Sequence, residues 1–322
     1  VAGFVPDSTR TWSWVAEPGS GNATYRLTVH REDGTEVWSR TFSADAAYRV
    51  EQGLDVEVLV NPAQPDAWRV AALGRADVDV DGTPGDEADV PWLVILDEQA
   101  NVLTDVAFEF AGLPAGAGPG LLDGAPNGDL FIGLLADGAP RVLRVDQQGT
   151  VLWCSTPVAS IPQGIEQFGL AALQDGGVLV SCNDVVARFD STGTATWRTR
   201  LFSRTVIDVA LGIGDEIAVL SADGGDVGDP ARTIHLDLLD PGGARLRSTS
   251  WATGHDLTLE LGGALAASPE GGYVAQLCRR LDRSLTPTID QGSQTIALYG
   301  IDADGEPAWH STYGGLRDET SS

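Results

Sequence analysis

The chain has 322 residues, 43% hydrophobic and 20% charged, a balance that supports a large core and excludes intrinsic disorder. Its 46 acids face 20 bases, every one an arginine, for a formal charge of -26; such a surface repels nucleic-acid phosphates and anionic lipid and attracts cations or basic partners. No run approaches the roughly 18 apolar residues of a membrane span, and acidity without lysine fits a high-salt habitat or a GC-rich genome.

The opening "VAGFVPDSTR" has neither a basic region nor an apolar signal core, and the chain contains no methionine, so residue 1 is not a translation start. We expect a processed or truncated chain that is secreted, periplasmic or on the cell surface. The first repeat, residues 1–42, ends in the hairpin "YRLTVHREDGTEVW", with a turn glycine at Gly34 and a tryptophan four residues later at Trp38. A β-branched or apolar run, a tight Asp/Gly turn and a second run are the sequence form of two antiparallel strands.

The second repeat, residues 54–110, keeps the hairpin as "PWLVILDEQANVLTDVAF" but lacks the tryptophan. Between its middle strands lies "ADVDVDGTPGDEAD", which crowds six carboxylates around two glycines. Asp77, Asp79 and Asp81 followed by Gly82 reproduce the first half of a D-x-D-x-D-G calcium loop, where alternate carboxylates converge and the glycine allows the turn. Ala88 stands where the bidentate glutamate of that loop belongs, so Asp86 is the expected fourth ligand. A solvated acidic strand end is the alternative, because three alternate residues of a strand also point to one side.

The third repeat, 118–157, closes with "RVLRVDQQGTVLW" and the fourth, 166–202, with "VVARFDSTGTATW", placing Gly149 with Trp153 and Gly193 with Trp197. The fifth, 205–251, has "IHLDLLDPGGARLRSTSW" and a second, weaker calcium candidate in Asp223, Asp226 and Asp229. The sixth, 261–313, ends in "ALYGIDADGEPAW" with Gly305 and Trp309. Ahead of these hairpins lie further strand pairs such as "LAALQDGGVLVSC" and "VALGIGDEIAVLS", which brings each repeat to four strands.

A four-stranded unit recurring without a helical period reads as an all-β, six-bladed β-propeller; seven blades, or a β-sandwich N-terminal domain before a five-bladed propeller, are the alternatives. Radial stacking buries both faces of each small twisted sheet. The ring would close by packing between complete blades, without a shared sheet. Trp38, Trp153, Trp197 and Trp309 are expected to dock structurally, a large flat side chain covering the gap to the next blade while its N–H finds a carbonyl. The distant cysteines Cys154, Cys182 and Cys278 form no disulfide or zinc pattern and are expected as three buried thiols.

"VLRVDQQGTVLW" and "VARFDSTGTATW" resemble the tryptophan-docked repeats of quinoprotein-like propellers, which include pyrroloquinoline quinone dehydrogenases and a non-catalytic outer-membrane assembly lipoprotein. "SPEGGYVAQL" followed by "IALYGIDADGEPAWHSTYGG" is similar to the repeats of secreted bacterial propellers of unknown function. The resemblance implies fold, since its matching residues are turns and packing positions. The adjacent paired cysteines typical of the quinone dehydrogenases are missing, and Asp190 and Gly193 are spaced too widely for a sialidase Asp-box.

Function is expected on the face that carries the long B–C and D–A connections, since varied loops on a rigid scaffold are where binding resides. His30, His235 and His310 fall within predicted hairpin strands, whereas His255 beside Asp256 falls in a loop of that face, although adjacent residues rarely orient each other as a catalytic base requires. No G-x-S-x-G elbow, H-E-x-x-H or phosphate-binding glycine loop occurs. The expectation is a non-catalytic secreted or cell-surface scaffold that binds a protein or glycan and is stiffened by calcium, with no other cofactor. The rival is an extracellular enzyme, a polysaccharide lyase or hydrolase or a quinone-dependent dehydrogenase, drawing on Arg232, Arg279, Arg280 and Arg283.

Overall fold

A computed structural model describes residues 2–4, 10–17, 24–31, 33–42, 49–60, 68–78, 88–108, 120–125, 127–136, 139–156, 168–201, 204–212, 214–223, 231–257, 263–268, 271–280 and 294–313. The described residues are strands and tight turns, with no helix long and apolar enough to cross a membrane. The strands form six four-stranded antiparallel sheets, each a meander of four consecutive strands.

The first sheet holds β1 (Ala2–Phe4), β2 (Arg10–Glu17), β3 (Thr24–Arg31) and β4 (Glu36–Phe42), so the N-terminal repeat is one four-stranded meander. The second holds β5 (Arg49–Val60), β6 (Trp68–Val78), β7 (Ala88–Asp97) and β8 (Val102–Ala107). The third holds β9 (Leu121–Gly124), β10 (Leu130–Ala136), β11 (Ala139–Val145) and β12 (Val151–Ser155). The fourth comprises β13 (Phe168–Ala172), β14 (Val178–Cys182), β15 (Val185–Phe189) and β16 (Ala195–Arg200). The fifth comprises β17 (Arg204–Leu211), β18 (Ile217–Asp223), β19 (Ala231–Leu239) and β20 (Arg245–Leu257). The sixth comprises β21 (Gly263–Ala267), β22 (Tyr273–Arg280), β23 (Gln294–Ile301) and β24 (Pro307–Tyr313).

Two compact units divide these sheets. The first spans Val1–Gln163 with the fourth sheet's turns Ala172–Gly177 and Ser191–Thr194; the second holds Gly164–Ala171, Val178–Asp190 and Ala195–Ser322.

The hairpins follow from local chemistry. In "VDQQGT", Asp146 N–H donates to the Thr150 carbonyl and Gly149 N–H to the Asp146 carbonyl, while the Asp146 carboxylate accepts from the amides of Gln148 and Thr150. The same bonds recur around Asp97 and Asp302. The fourth turn residue must turn left-handed, with φ of 82° at Gly149, 80° at Gly193 and 84° at Gly243; in the second sheet Ala100 adopts 64° instead. A register shift sits beside each of these hairpin turns, such as Arg144/Val145 and Arg188/Phe189, as expected where a left-handed residue creates a bulge.

Within the first unit the sheets stack face to face. Alternate residues of β6 and β7 separate into two cores: Val70, Ala72, Trp92, Val94 and Leu96 pack with Leu27 and Val29, whereas Ala71, Leu73, Leu93 and Ile95 pack with Leu122, Leu130 and Ile132. A sheet buried on both faces needs continuous apolar strands, which is why "VPWLVIL" does not alternate. In the second unit, Leu220, Leu236 and Leu238 pack with Leu265, Tyr273 and Leu277 in the same manner.

Among the described residues, Asp129 and Asp237 are buried carboxylates with arginine partners. Asp129 accepts from Arg144 Nε at 2.9 Å and Nη2 at 2.7 Å, and Arg144 Nη1 donates to the carbonyls of Gly176 and Ser191. Asp237, fully buried, accepts from Arg204 at 2.8 Å and from Arg245 at 3.4 Å.

One sequence expectation fails here. Cys182 is buried, its thiol pushed up to about 12 by desolvation and then by Asp184, but Cys154 is exposed. Cys154 lies on the outer strand β12, where alternate side chains face away from the core. Cys278 is on β22, and its side chain lies outside the described residues.

Candidate functional site

Three carboxylates gather where β5 meets β9. The strand "DVEVL" alternates: Val56 and Val58 turn to the core shared with the first sheet, and Leu59 turns to the core shared with the third. Asp55 and Glu57 fall on the Leu59 side of that alternation, toward β9. Asp55 accepts from its neighbour Val56 N–H at 2.8 Å and from Leu122 N–H at 2.9 Å. Asp123, on β9, repeats the arrangement with Gly124 N–H at 2.8 Å and Ala172 N–H at 2.5 Å. Each aspartate thus ties its own strand to the innermost strand of the next sheet. In the second unit Asp208 does the same, accepting from Val209 and Leu265 N–H.

No such amide among the described residues donates to Glu57. Glu57 reaches Gly124, where a Cβ would stand 3.5 Å from Glu57 Cγ and 2.7 Å from Leu59 Cδ2, so only glycine leaves room. All three carboxylates are surrounded by protein yet only partly shielded from solvent, as in a narrow recess. Burial pushes Asp55 up to about 6, with Asp123 repulsion adding to it and the Leu122 and Val56 amides opposing it. Burial likewise raises Asp123 to about 6 against the pull of the Ala172 and Gly124 amides. Glu57 is raised well above the usual carboxylate range by burial, then by Asp123 and Asp55. Crowded, half-buried carboxylates with raised proton affinity can give up a proton near neutrality.

A second recurrent device joins adjacent sheets. Trp153 Nε1 donates to the Ser191 carbonyl at 3.0 Å, and two residues on, Ser155 Oγ donates to the Gly193 carbonyl at 2.6 Å. Trp197 Nε1 and Thr199 Oγ1 repeat both bonds to Pro241 and Gly243, at 2.9 and 3.2 Å. Where tryptophan is absent, Thr104 Oγ1 takes the equivalent Gln147 carbonyl at 3.0 Å. Trp38 departs from the pattern: its ring stacks on Trp68 at 6.3 Å, its buried Nε1 has no hydrogen-bond partner, and Arg40 supplies the second bond to the Ala100 carbonyl at 2.6 Å. Trp309 is half exposed and lies against Gly300 across its own sheet.

The docked rings leave no room at the turn glycines. A Cβ on Gly243 would stand 2.7 Å from the Trp197 ring, whereas one on Gly214, also left-handed at φ 76°, would meet nothing within 4 Å. Gly243→Ala is expected to destabilise by roughly 2–4 kcal/mol, backbone strain plus ring displacement, and Gly214→Ala by only about 1–2 kcal/mol. Equal losses in denaturant melts of the two variants would remove the docking contribution.

The calcium candidates are only partly within the described residues. Asp77 is on β6, directly opposite Asp89 of β7; Asp79, Asp81 and Asp86 lie outside the described residues. Asp223, at the end of β18, is hydrogen-bonded to His235 Nε2 at 2.7 Å, and Asp226 and Asp229 lie outside the described residues. No group of three potential ligands with metal-holding geometry occurs among the described residues.

His255 and Asp256 fall within β20, in the irregular stretch between its Thr233–Ala252 and Ala231–Leu257 pairings with β19. Arg232, Arg279 and Arg280 are strand residues of β19 and β22, and Arg283 lies outside the described residues. Tyr273, from the "EGGY" motif, donates to Glu216 at 3.1 Å and covers Gly212, a packing role.

No protein-family model matches the chain, and no curated protein does. Among solved structures it is similar to a polysaccharide lyase, an ulvan lyase of family PL25, at TM-score 0.53 and 8% identity over 95% of this chain and 82% of that one. It is also similar to prolyl oligopeptidase B from Galerina marginata, at TM-score 0.52 and 12% identity over 99% of this chain and 43% of that one. The Dos1 propeller matches at TM-score 0.48 and 15% identity, over 82% and 62% of the two chains. At such identities the likeness concerns fold alone: this is an all-β, propeller-like chain of four-stranded antiparallel sheets.

Proposed function

We propose that this protein is a non-catalytic binding and scaffold propeller, six-bladed and of the quinoprotein-like type, acting in the periplasm, on the cell surface or in the medium. It engages a protein or glycan through its B–C and D–A connections. The observation that carries this reading is a contrast within the second, fifth and sixth sheets. The hairpin turns are closed locally and several are pinned by a neighbouring sheet, whereas the connections at 79–87, 224–230 and 281–293 are long and varied. A scaffold locked on one side and free to vary on the other is built to present loops.

Calcium belongs to the same proposal, with Asp77, Asp79, Asp81 and Asp86 as ligands and Asp223, Asp226 and Asp229 as the weaker set. The pairing of Asp77 opposite Asp89 supports it, because like charges directly across a strand pair are destabilising unless a cation joins them. Calorimetric titration with calcium should give heat and a raised melting temperature, about 2.7 kcal/mol at a hundredfold excess over Kd. Asp79→Ala with Asp81→Ala should abolish both, together with capture on a glycan or basic-peptide array. Silence of the parent on every probe overturns the reading.

The cluster of Asp55, Glu57 and Asp123 favours a second reading, a polysaccharide lyase or hydrolase with Glu57 as the proton donor. Depolymerisation of an acidic polysaccharide by the parent, lost in Glu57→Gln, would replace the scaffold reading with this one.

A further inference from the structure

The seventh residue past the start of each hairpin turn is large in every sheet but the second. Counted from Arg31, Asp146, Asp190, Asp240 and Asp302 it is Trp38, Trp153, Trp197, Arg247 and Trp309; counted from Asp97 it is Thr104. Trp153 and Trp197 cover the turn of the following sheet, and Arg247 reaches the turn at Asp304. Thr104 gives the same kind of hydrogen bond, to the Gln147 carbonyl at 3.0 Å, with a far smaller side chain.

A cavity of about 510 Å³ lies at this junction, within the first unit, and Thr104, Val106 and Gln147 line it. Its volume is that of a small-molecule site. It is built on strand and hairpin residues, not on the B–C and D–A connections. Arg69 also lines it; the guanidinium donates to the Gln147 side-chain oxygen and has no carboxylate partner among the described residues. Asp105, another lining residue, accepts from Trp92 Nε1 at 2.7 Å through one oxygen, and its second oxygen has no donor among the described residues. Leu103, 48% exposed, adds apolar surface beside these heads.

We propose that this cavity binds a neutral sugar ring, with Arg69 donating to its hydroxyls, Asp105 accepting from them and Leu103 and Val106 against its C–H face. A ring of that kind offers donors and acceptors on its rim and apolar patches on its faces, which is the mixture the lining presents. An indole like those at the neighbouring junctions would take water from Arg69 and Asp105 without giving both a partner, a costly desolvation. An anionic ligand would gain Arg69 but meet the like charge of Asp105.

Saturation-transfer NMR of the full chain tests this, with the methyl glycosides of glucose, galactose, mannose and xylose as probes and indole-3-acetate and methyl glucuronide as rivals. At least one neutral glycoside should receive transfer at its ring C–H protons. Thr104→Trp restores the side chain of the neighbouring junctions, so it should melt at or above the parent and lose the transfer. Arg69→Met, which empties no seat in the core, should raise Kd for the same glycoside roughly tenfold or more, the loss of a charge-assisted hydrogen bond, and tests the site even where the new tryptophan fails to seat. A parent without transfer to any neutral glycoside overturns the proposal, as does transfer to a rival probe alone. Transfer that survives Thr104→Trp and Arg69→Met but is lost in Asp79→Ala with Asp81→Ala also overturns it, by placing the sugar on the connections and leaving the scaffold reading intact.

Discussion

Replacing Asp129 by alanine should cost about 3–5 kcal/mol, the loss expected when one partner of a buried ion pair is removed. The Arg144 guanidinium would be left with Phe131 beneath it at 5.8 Å and the carbonyls of Gly176 and Ser191, but no counter-charge. Asn127 would lose its acceptor as well. The loss should be smaller in the double variant Asp129→Leu with Arg144→Met, which removes the stranded charge and refills the volume with apolar groups. It should not vanish, because the two carbonyls then lose their donor. Denaturant melts of the parent, Asp129→Leu, Arg144→Met and the double variant give the coupling energy directly. A coupling near zero would show that Asp129 and Arg144 contribute independently, and that the carbonyl bonds alone fix the guanidinium.

The hairpins were legible in the sequence because their causes are local. An Asp that caps its own turn and a glycine that turns left-handed four residues before a tryptophan are adjacent in the chain, and their spacing survives repetition. Trp153 and Trp197 could be read as docking residues for the same reason. Ser155, Thr199 and Thr104 could not, since an ordinary serine or threonine in a strand signals nothing until the turn it meets is known.

The carboxylate recess was missed on similar grounds. Asp55 and Glu57 interrupt "LDVEVLV" with a period of two, which places them on one strand face. What makes them unusual is Asp123, a distant residue brought close by sheet stacking. The crowded acids at 76–89 drew notice because they adjoin in sequence; those at Asp55, Glu57 and Asp123 adjoin only in space. His255 was misplaced for the opposite reason. A polar "TGHDLTL" looks like a connection, yet β20 runs on to Leu257 and rejoins β19 there after an irregular stretch at 253–256.

The recess predicts an unusual response to pH. Asp55 and Asp123, both raised to about 6, and Glu57, raised well above the usual carboxylate range, hold protons in the folded chain that the unfolded chain releases. For groups shifted upward, stability is fully present below the ordinary carboxylate pKa of about 4 and is lost as pH rises through the folded value. This contribution therefore falls from about pH 4 to above pH 6, against carboxylates such as Asp97, held low by Asn101 and Gln99 amides, whose contribution falls with acid. Subtracting a variant isolates the recess. Glu57→Gln places a neutral side chain among the crowded carboxyls, and no backbone amide among the described residues donates to Glu57, so at pH 7.5 the variant should be more stable than the parent. The advantage should shrink to nothing near pH 4, where the parent's carboxyls are already protonated. Asp55→Asn should behave differently, destabilising at every pH, because one of its two amide donors, Val56 or Leu122, loses its oxygen. Thermal melts of the three proteins from pH 4 to 8 check both. A Glu57→Gln advantage that does not change with pH would show that packing, and not charge, sets the energy of the recess.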